Sequence, residues 1–242
     1  MSKSDPNYVE TVKTDFGILA KSYDLINNFM SFGTDRQFRY LAIKNTIHDM
    51  NESSDAVWLD IGTGTGHLAN ELNKQKDNNY VVGLDVSAHM MNMCRDRQIF
   101  KVGLLNLILA DGSKTPFRRA SFDGLISGFV GRHYRDYPTT LSDHHRIVKP
   151  LGRIMMLEMG RRATKMAFFI DVYVGRLMST FGKLAAFLLT GGKAPFRLLE
   201  NSYKDFFSPR ELIEFYDDAG FRSRYKLLLM GSIVIVLGLR LP

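Results

Sequence analysis

The stretch Val57-Trp58-Leu59-Asp60-Ile61-Gly62-Thr63-Gly64-Thr65-Gly66-His67-Leu68 carries an apolar run through an acid into three closely spaced glycines, then into a helix-compatible segment. Glycine has no Cβ, so backbone at such a loop can approach a ligand without side-chain collision. A dinucleotide fingerprint requires G-x-G-x-x-G, whose third glycine would fall at position 67. That residue is His67, and the spacing is G-x-G-x-G. Asp60 adds a constraint, because a carboxylate at the strand end repels a pyrophosphate and favours a cationic or amino-bearing ligand. S-adenosylmethionine has both an ammonium and a sulfonium.

Working outward, Asp85 ends a second apolar run in VVGLDVS, nineteen positions beyond Gly66. An acid there can accept hydrogen bonds from both ribose hydroxyls. Asp111 ends a third run in LILADG, placed for the adenine edge. Singly, each acid is an ordinary strand-terminating turn residue. Three of them closing successive strands beside one glycine loop point to cofactor binding.

Short apolar runs alternate with longer amphipathic segments, which is the α/β pattern. Strands are expected at Ala56 to Ile61, Tyr80 to Asp85, Asn106 to Ala110, Phe122 to Gly128 and Arg153 to Glu158, forming a mostly parallel sheet. Ser208, Pro209 and Glu211 then make a capping box, and Gly220 stops the helix. Phe221 to Leu229 and Ile233 to Leu239 follow too closely for a helical crossover and must pair antiparallel if they pair locally. The 242 residues fit one domain: an N-terminal helical lid over 1–50, a cofactor-binding core over 51–160, a helical insert over 161–206, and a C-terminal helix and hairpin over 207–242. Within the insert, AFFIDVYVGRLMSTFGKLAAFLL is apolar around most of its helical circumference. It reads as a buried helix, a lid or a membrane-touching surface.

At 45% hydrophobic and 24% charged, the composition is that of a globular protein and excludes disordered and collagen-like classes. The single cysteine, Cys94, excludes an intramolecular disulfide or multi-cysteine zinc site, so a cytoplasmic protein is expected. Residues 1–10 lack the apolar region of a secretory signal, and the most apolar stretch, Leu227 to Leu239, falls short of the roughly 20 residues of a membrane span. The net charge of +7 would suit nucleic acid, anionic lipid or acidic substrates, and selects none of them. His144 and His145 are adjacent, so on a helix they point about 100° apart. No metal site is expected from them.

The glycine loop and its acids resemble the class I S-adenosylmethionine-dependent methyltransferases, which implies a Rossmann-like seven-stranded sheet ending in an antiparallel hairpin. More narrowly, the chain resembles the ubiquinone/menaquinone biosynthesis C-methyltransferase family, in YDLINNFMSFGTDRQFR (Tyr23 to Arg39), FDGLISGFVGRHYRD (Phe122 to Asp136), RIVKPLGRIMMLE (Arg146 to Glu158) and LLENSYKDFFSPRELIEFYDDAGF (Leu198 to Phe221). Where that family reads S-F-G-L-R-N, this chain has Gly128, Phe129, Val130, Gly131, Arg132 and His133, so a cofactor-side Ser is Gly and the Asn after the Arg is His. The resemblance implies S-adenosyl-L-methionine held by Asp60, Gly62, Gly64, Thr65, Gly66, Asp85, Val86, Asp111, Gly112 and Gly128. It also implies a small-molecule acceptor, a lipophilic quinol, reached by peripheral contact with a membrane.

A quinol carbon becomes nucleophilic once its phenolic hydroxyl loses a proton, which needs a base or a cation to stabilise the phenolate. Arg132 and His133 are the candidates, against readings as a helix-start charge and a loop residue. Glu158 faces the site or merely begins a loop. Arg146, Lys149, Arg153, Arg161, Arg162 and Lys165 make a basic run that is either a solvated face or a contact for anionic lipid. A small-molecule O- or N-methyltransferase is the nearest alternative. A non-catalytic cofactor-binding or membrane-assembly protein is another, and a nucleic-acid enzyme is disfavoured because no N-P-P-Y-type motif or RNA-binding module is present.

Overall fold

The computed structural model describes residues 7–31, 33–48, 55–76, 79–97, 105–159 and 206–242. Of the insert expected over 161–206, residues 161–205, with Arg161, Arg162 and Lys165, lie outside the described residues. Two helices, α1 (Tyr8–Met30) and α2 (Asp35–Ile47), precede β1 (Val57–Ile61). Alternation follows: α3 (His67–Gln75), β2 (Tyr80–Asp85), α4 (Ala88–Asp96), β3 (Leu105–Leu109) and β4 (Phe122–Gly128). A 3-10 turn, Gly131–His133, leads into α5 (Tyr137–Ile147) and β5 (Val148–Met159). The chain closes with α6 (Pro209–Asp218), β6 (Phe221–Leu228) and β7 (Ile233–Arg240).

The seven strands form one sheet in the order β3-β2-β1-β4-β5-β7-β6. Strands β1 to β5 pair in parallel, while β7 is antiparallel to both β5 and β6. Because β1 lies between β2 and β4, the strand order reverses at its carboxyl end. In open α/β sheets that reversal opens the crevice in which ligands bind. The glycine loop sits there.

Period-2 alternation divides the core between the two faces. On β1, β5 and β7, Leu59, Ile61, Ile154, Met156, Val234 and Val236 pack in one cluster with α5 and α6. Their neighbours Trp58, Met155, Leu157, Ile233 and Ile235 pack in the other with α2 and α3. Trp58 is completely buried and lies over Gly124, where a Cβ would stand 2.1 Å from the indole ring. Only glycine fits beneath it.

Strand β5 differs from the sequence reading, starting at Val148 rather than Arg153. Phe122 pairs with Val148 and Gly124 with Arg153, so residues 149–152 loop out as a bulge, with Leu151 at φ +63°. The Lys-Pro-Leu-Gly segment thus interrupts a strand that begins before it. The capping box at Ser208 and Glu211 is formed in both directions, and Gly220 adopts φ +96°. Of the basic run, Arg146 pairs with Asp143 at 2.6 Å, Lys149 pairs with Asp123 at 2.9 Å, and Arg153 donates to the Thr46 carbonyl at 3.1 Å. These three cations are engaged in the fold.

Candidate active site

The glycine loop is fixed to β2 by its own backbone. Gly62 and Thr63 N–H both donate to the Leu84 carbonyl, at 2.7 and 3.0 Å. Gly62, Gly64 and Gly66 take φ of +66°, +54° and +83°, which L side chains rarely adopt. A Cβ at Gly62 would strike Val130 at 2.2 Å, whereas one at Gly64 would meet only the Gly62 carbonyl, at 3.8 Å. Backbone at Gly64 therefore faces open space, as close ligand approach requires.

Asp85 accepts from Gly64 N–H and Ser87 N–H, each at 2.8 Å, joining the loop to the start of α4. A carboxylate has about four acceptor positions, which leaves capacity for ribose hydroxyls. Burial raises its pKa, opposed by those backbone donors. Asp60 is 1% exposed and accepts from the Thr63 hydroxyl at 2.8 Å. Burial pushes its carboxyl up to about 7, with Thr63, Ala69 and the charge of Arg39 acting in the opposite direction. Asp111 lies just past β3, where it accepts from the Ser113 N–H and hydroxyl at 2.8 and 2.7 Å.

These groups line one open cleft. Asp60, Gly62, Gly64, Thr65, Asp85, Val86, Asp111, Gly112, Gly128 and His133 are all in its wall. Gly66 and Arg132 are not. Gly66 serves as the N-cap of α3, and the side chain of Arg132 is 8% exposed, with Nη1 3.5 Å from Oε2 of Glu158. Glu158 is fully buried; burial raises its pKa and Arg132 opposes that shift. Tyr8 lines the cleft, and burial raises the pKa of its hydroxyl while the charge of Arg132 opposes that shift.

Four wall residues come from α1, namely Tyr8, Val9, Val12 and Phe16, and Arg39 comes from α2. The sequence marks 1–50 as a helical lid but singles out none of these residues, since helix periodicity marks an apolar face without saying which cavity it covers. His144 has a structural partner. Its Nε2–H donates to the Gly112 carbonyl at 2.9 Å, fixing the loop after Asp111, while His145 packs edge-on against Phe221. Their opposed directions follow from 100° per residue. His67, in place of the dinucleotide glycine, accepts from Arg97 Nη1 at 2.9 Å. Burial, then Arg39, lowers its pKa to about 4.

The cleft encloses about 1040 Å³, open mouth included. The wall mixes two kinds of lining. Three acids and the glycine loop supply polar groups, and this donor and acceptor set fits an adenosyl group bearing an amino acid. Val9, Val12, Phe16, Phe129 and Val130 supply apolar surface. The His133 and Phe16 rings meet edge to face, centroids 5.4 Å apart.

This sheet order and glycine-loop crevice define a class I, Rossmann-like S-adenosyl-L-methionine-dependent methyltransferase. The fold agrees with solved structures: a putative methyltransferase of Haloferax volcanii in complex with the Trm112 activator (TM-score 0.67, 16% identity, 94% of this chain and 98% of that one), and an Aquifex aeolicus SAM-dependent methyltransferase (TM-score 0.56, 17% identity, 81% and 88%). The chain belongs to the ubiE/COQ5 methyltransferase family, which matches residues 1–240. Among curated relatives, the demethylmenaquinone methyltransferase of Thermus thermophilus is 31% identical over 92% of this chain and 98% of its own length. The ubiquinone/menaquinone biosynthesis C-methyltransferase UbiE of Coxiella burnetii is 30% identical over 94% and 89%.

Proposed function

We propose that the protein C-methylates a prenylated quinol in menaquinone or ubiquinone biosynthesis. The observation that carries this reading is the composition of one cleft wall, in which the glycine loop and its acids are joined by apolar and aromatic side chains and by His133, whose ring meets Phe16 edge to face. A flat hydroxylated ring suits such a surface, and the names of the curated relatives specify quinone chemistry.

When bound, S-adenosylmethionine supplies an electrophilic methyl group on a sulfonium. Asp60, Gly62, Gly64, Thr65, Asp85, Val86, Asp111, Gly112 and Gly128 hold it, with Gly66 shaping the loop from behind. The remaining work is alignment of the acceptor and activation of its carbon. Collinear positioning of reacting groups contributes much of such an acceleration. A ring nitrogen of His133 accepts the proton of the acceptor hydroxyl. Arg132, although turned to Glu158, keeps a positive charge near the phenolate, where limited solvent lets it act over a distance. Helix α1, which lends Tyr8, Val9, Val12 and Phe16 to the wall, serves as the lid. The prenyl tail brings the protein to a membrane surface, with the basic Arg161, Arg162 and Lys165 and the apolar 168–189 stretch as its contacts.

Incubation with labelled methyl donor and a reduced prenylated naphthoquinol or benzoquinol, followed by product fragmentation, tests this. One methyl on a ring carbon is expected. Transfer only to oxygen or nitrogen of soluble acceptors would replace this reading with that of a small-molecule methyltransferase.

A further inference from the structure

The cleft wall holds three acids, yet the cofactor's amino-acid group is a zwitterion and needs a cation for its carboxylate. Among the described residues, Arg39 is the single Lys or Arg in the wall. It lies on α2, one turn beyond Asp35, whose Oδ2 is 3.3 Å from its Nη2, and its side chain is 11% exposed. That one contact occupies a fraction of the five N–H donors of a guanidinium. Arg39 is close enough to Asp60 to favour its ionised form and close enough to His67 to disfavour its protonated form. His67 is consequently a neutral neighbour and does not compete for an anion.

We propose that Arg39 reads the α-carboxylate of the cofactor while Asp60 reads its ammonium, so that α2 and β1 together form a clamp specific for a zwitterion. This rests on the cofactor assignment and extends it to a residue outside the glycine-loop fold. Helix α2 packs against α3, and the Asp35 contact holds one side of the Arg39 guanidinium.

Three ligands separate the possibilities by calorimetry: S-adenosylhomocysteine, its decarboxylated analogue, and 5′-methylthioadenosine, which lacks the amino-acid group. Wild-type protein is expected to bind S-adenosylhomocysteine on the order of 10–100-fold more tightly than the decarboxylated analogue, the range of one charged hydrogen-bond pair. In Arg39→Met that preference should fall to about threefold or less, with affinity for 5′-methylthioadenosine unchanged. Arg39→Lys, which keeps the charge without the planar fork, should retain part of the preference. Equal wild-type affinity for the two amino-bearing ligands overturns the proposal without any variant. So does a loss in Arg39→Met that is equal for all three ligands, because that is a structural effect. If wild type binds none of the three, the cofactor assignment fails and the clamp with it.

Discussion

Asp60 serves two opposed ends. In the ligand-free protein burial holds its carboxyl near 7, so folding favours the protonated form; the proposed contact with the cofactor ammonium requires the ionised one. For an acid whose pKa is raised on folding, the stabilising contribution is complete below its unfolded value near 4 and is lost as pH rises through 7. Asp60→Asn should therefore raise the stability of ligand-free protein at pH 8 by roughly 1–3 kcal/mol, read from denaturant melts. Binding has the reverse dependence. Wild-type affinity for S-adenosylhomocysteine should climb from pH 6 to about pH 7.5 and level off, whereas that for 5′-methylthioadenosine should stay flat. Parallel profiles for the two ligands would remove Asp60 from the ammonium site.

Arg132 requires a different design, because Glu158 is buried beside it. Removing one member of a buried pair strands the other charge and costs about 3–5 kcal/mol. Arg132→Ala would thus lose activity for reasons of folding alone. Replacing both, as Arg132→Met with Glu158→Leu, should recover most of that stability while quinol methylation remains down by about 100-fold or more. Wild-type turnover in the double variant would leave Arg132 with a purely structural role.

At the scale of elements, α6 was legible to the residue because its start and stop are local chemistry. The Ser208 hydroxyl accepts from Glu211 N–H, and the Glu211 carboxylate accepts from Ser208 N–H at 2.7 Å. Ser208→Ala should lower stability by about 1 kcal/mol, visible as a drop in Tm, with cofactor affinity unaltered. An accompanying loss of affinity would mean that α6 communicates with the cleft. The strands and glycine loop were legible for a similar reason, since alternation and positive-φ residues are written in adjacent positions. Strand β5 was not, because its first residues pair across a bulge whose Pro and Gly read as a terminator. The contribution of α1 and Arg39 to the cleft was also hidden. Which wall a helix completes depends on contacts distant in sequence: Arg39 and Asp60 are close through packing of α2 over the sheet, and no spacing encodes that. Arg132 misled in the opposite direction, since its position beside His133 gave no sign that its guanidinium turns towards β5.

For the whole molecule, the excess of 32 Lys and Arg over 25 Asp and Glu is distributed unevenly. Strand β6, at the edge of the sheet, exposes Arg222, Arg224 and Lys226, which discourages another strand from pairing there. Arg146, Lys149 and Arg153 each have a partner within the fold, and Arg161, Arg162 and Lys165 are the part of the basic run proposed to meet a membrane. No helix among the described residues is long and apolar enough to cross one, and the proposed prenylated acceptor is tested by its consequence at a membrane surface. Basic residues near an anionic surface contribute about 1 kcal/mol each, and that attraction decays within a Debye length of roughly 8 Å at physiological salt. The protein should cosediment with anionic vesicles, release at high salt, and bind neutral vesicles weakly. Replacing Arg161, Arg162 and Lys165 together with Gln should weaken anionic-vesicle binding by up to about 100-fold. Turnover of quinol in vesicles should fall in step, while turnover of the same quinol in detergent stays at the wild-type rate. If the substituted protein binds vesicles as the wild type does, the basic run has no part in membrane contact and the apolar 168–189 stretch must account for it alone. If the wild type ignores vesicles and methylates only soluble acceptors, the lipophilic acceptor itself is the wrong assignment.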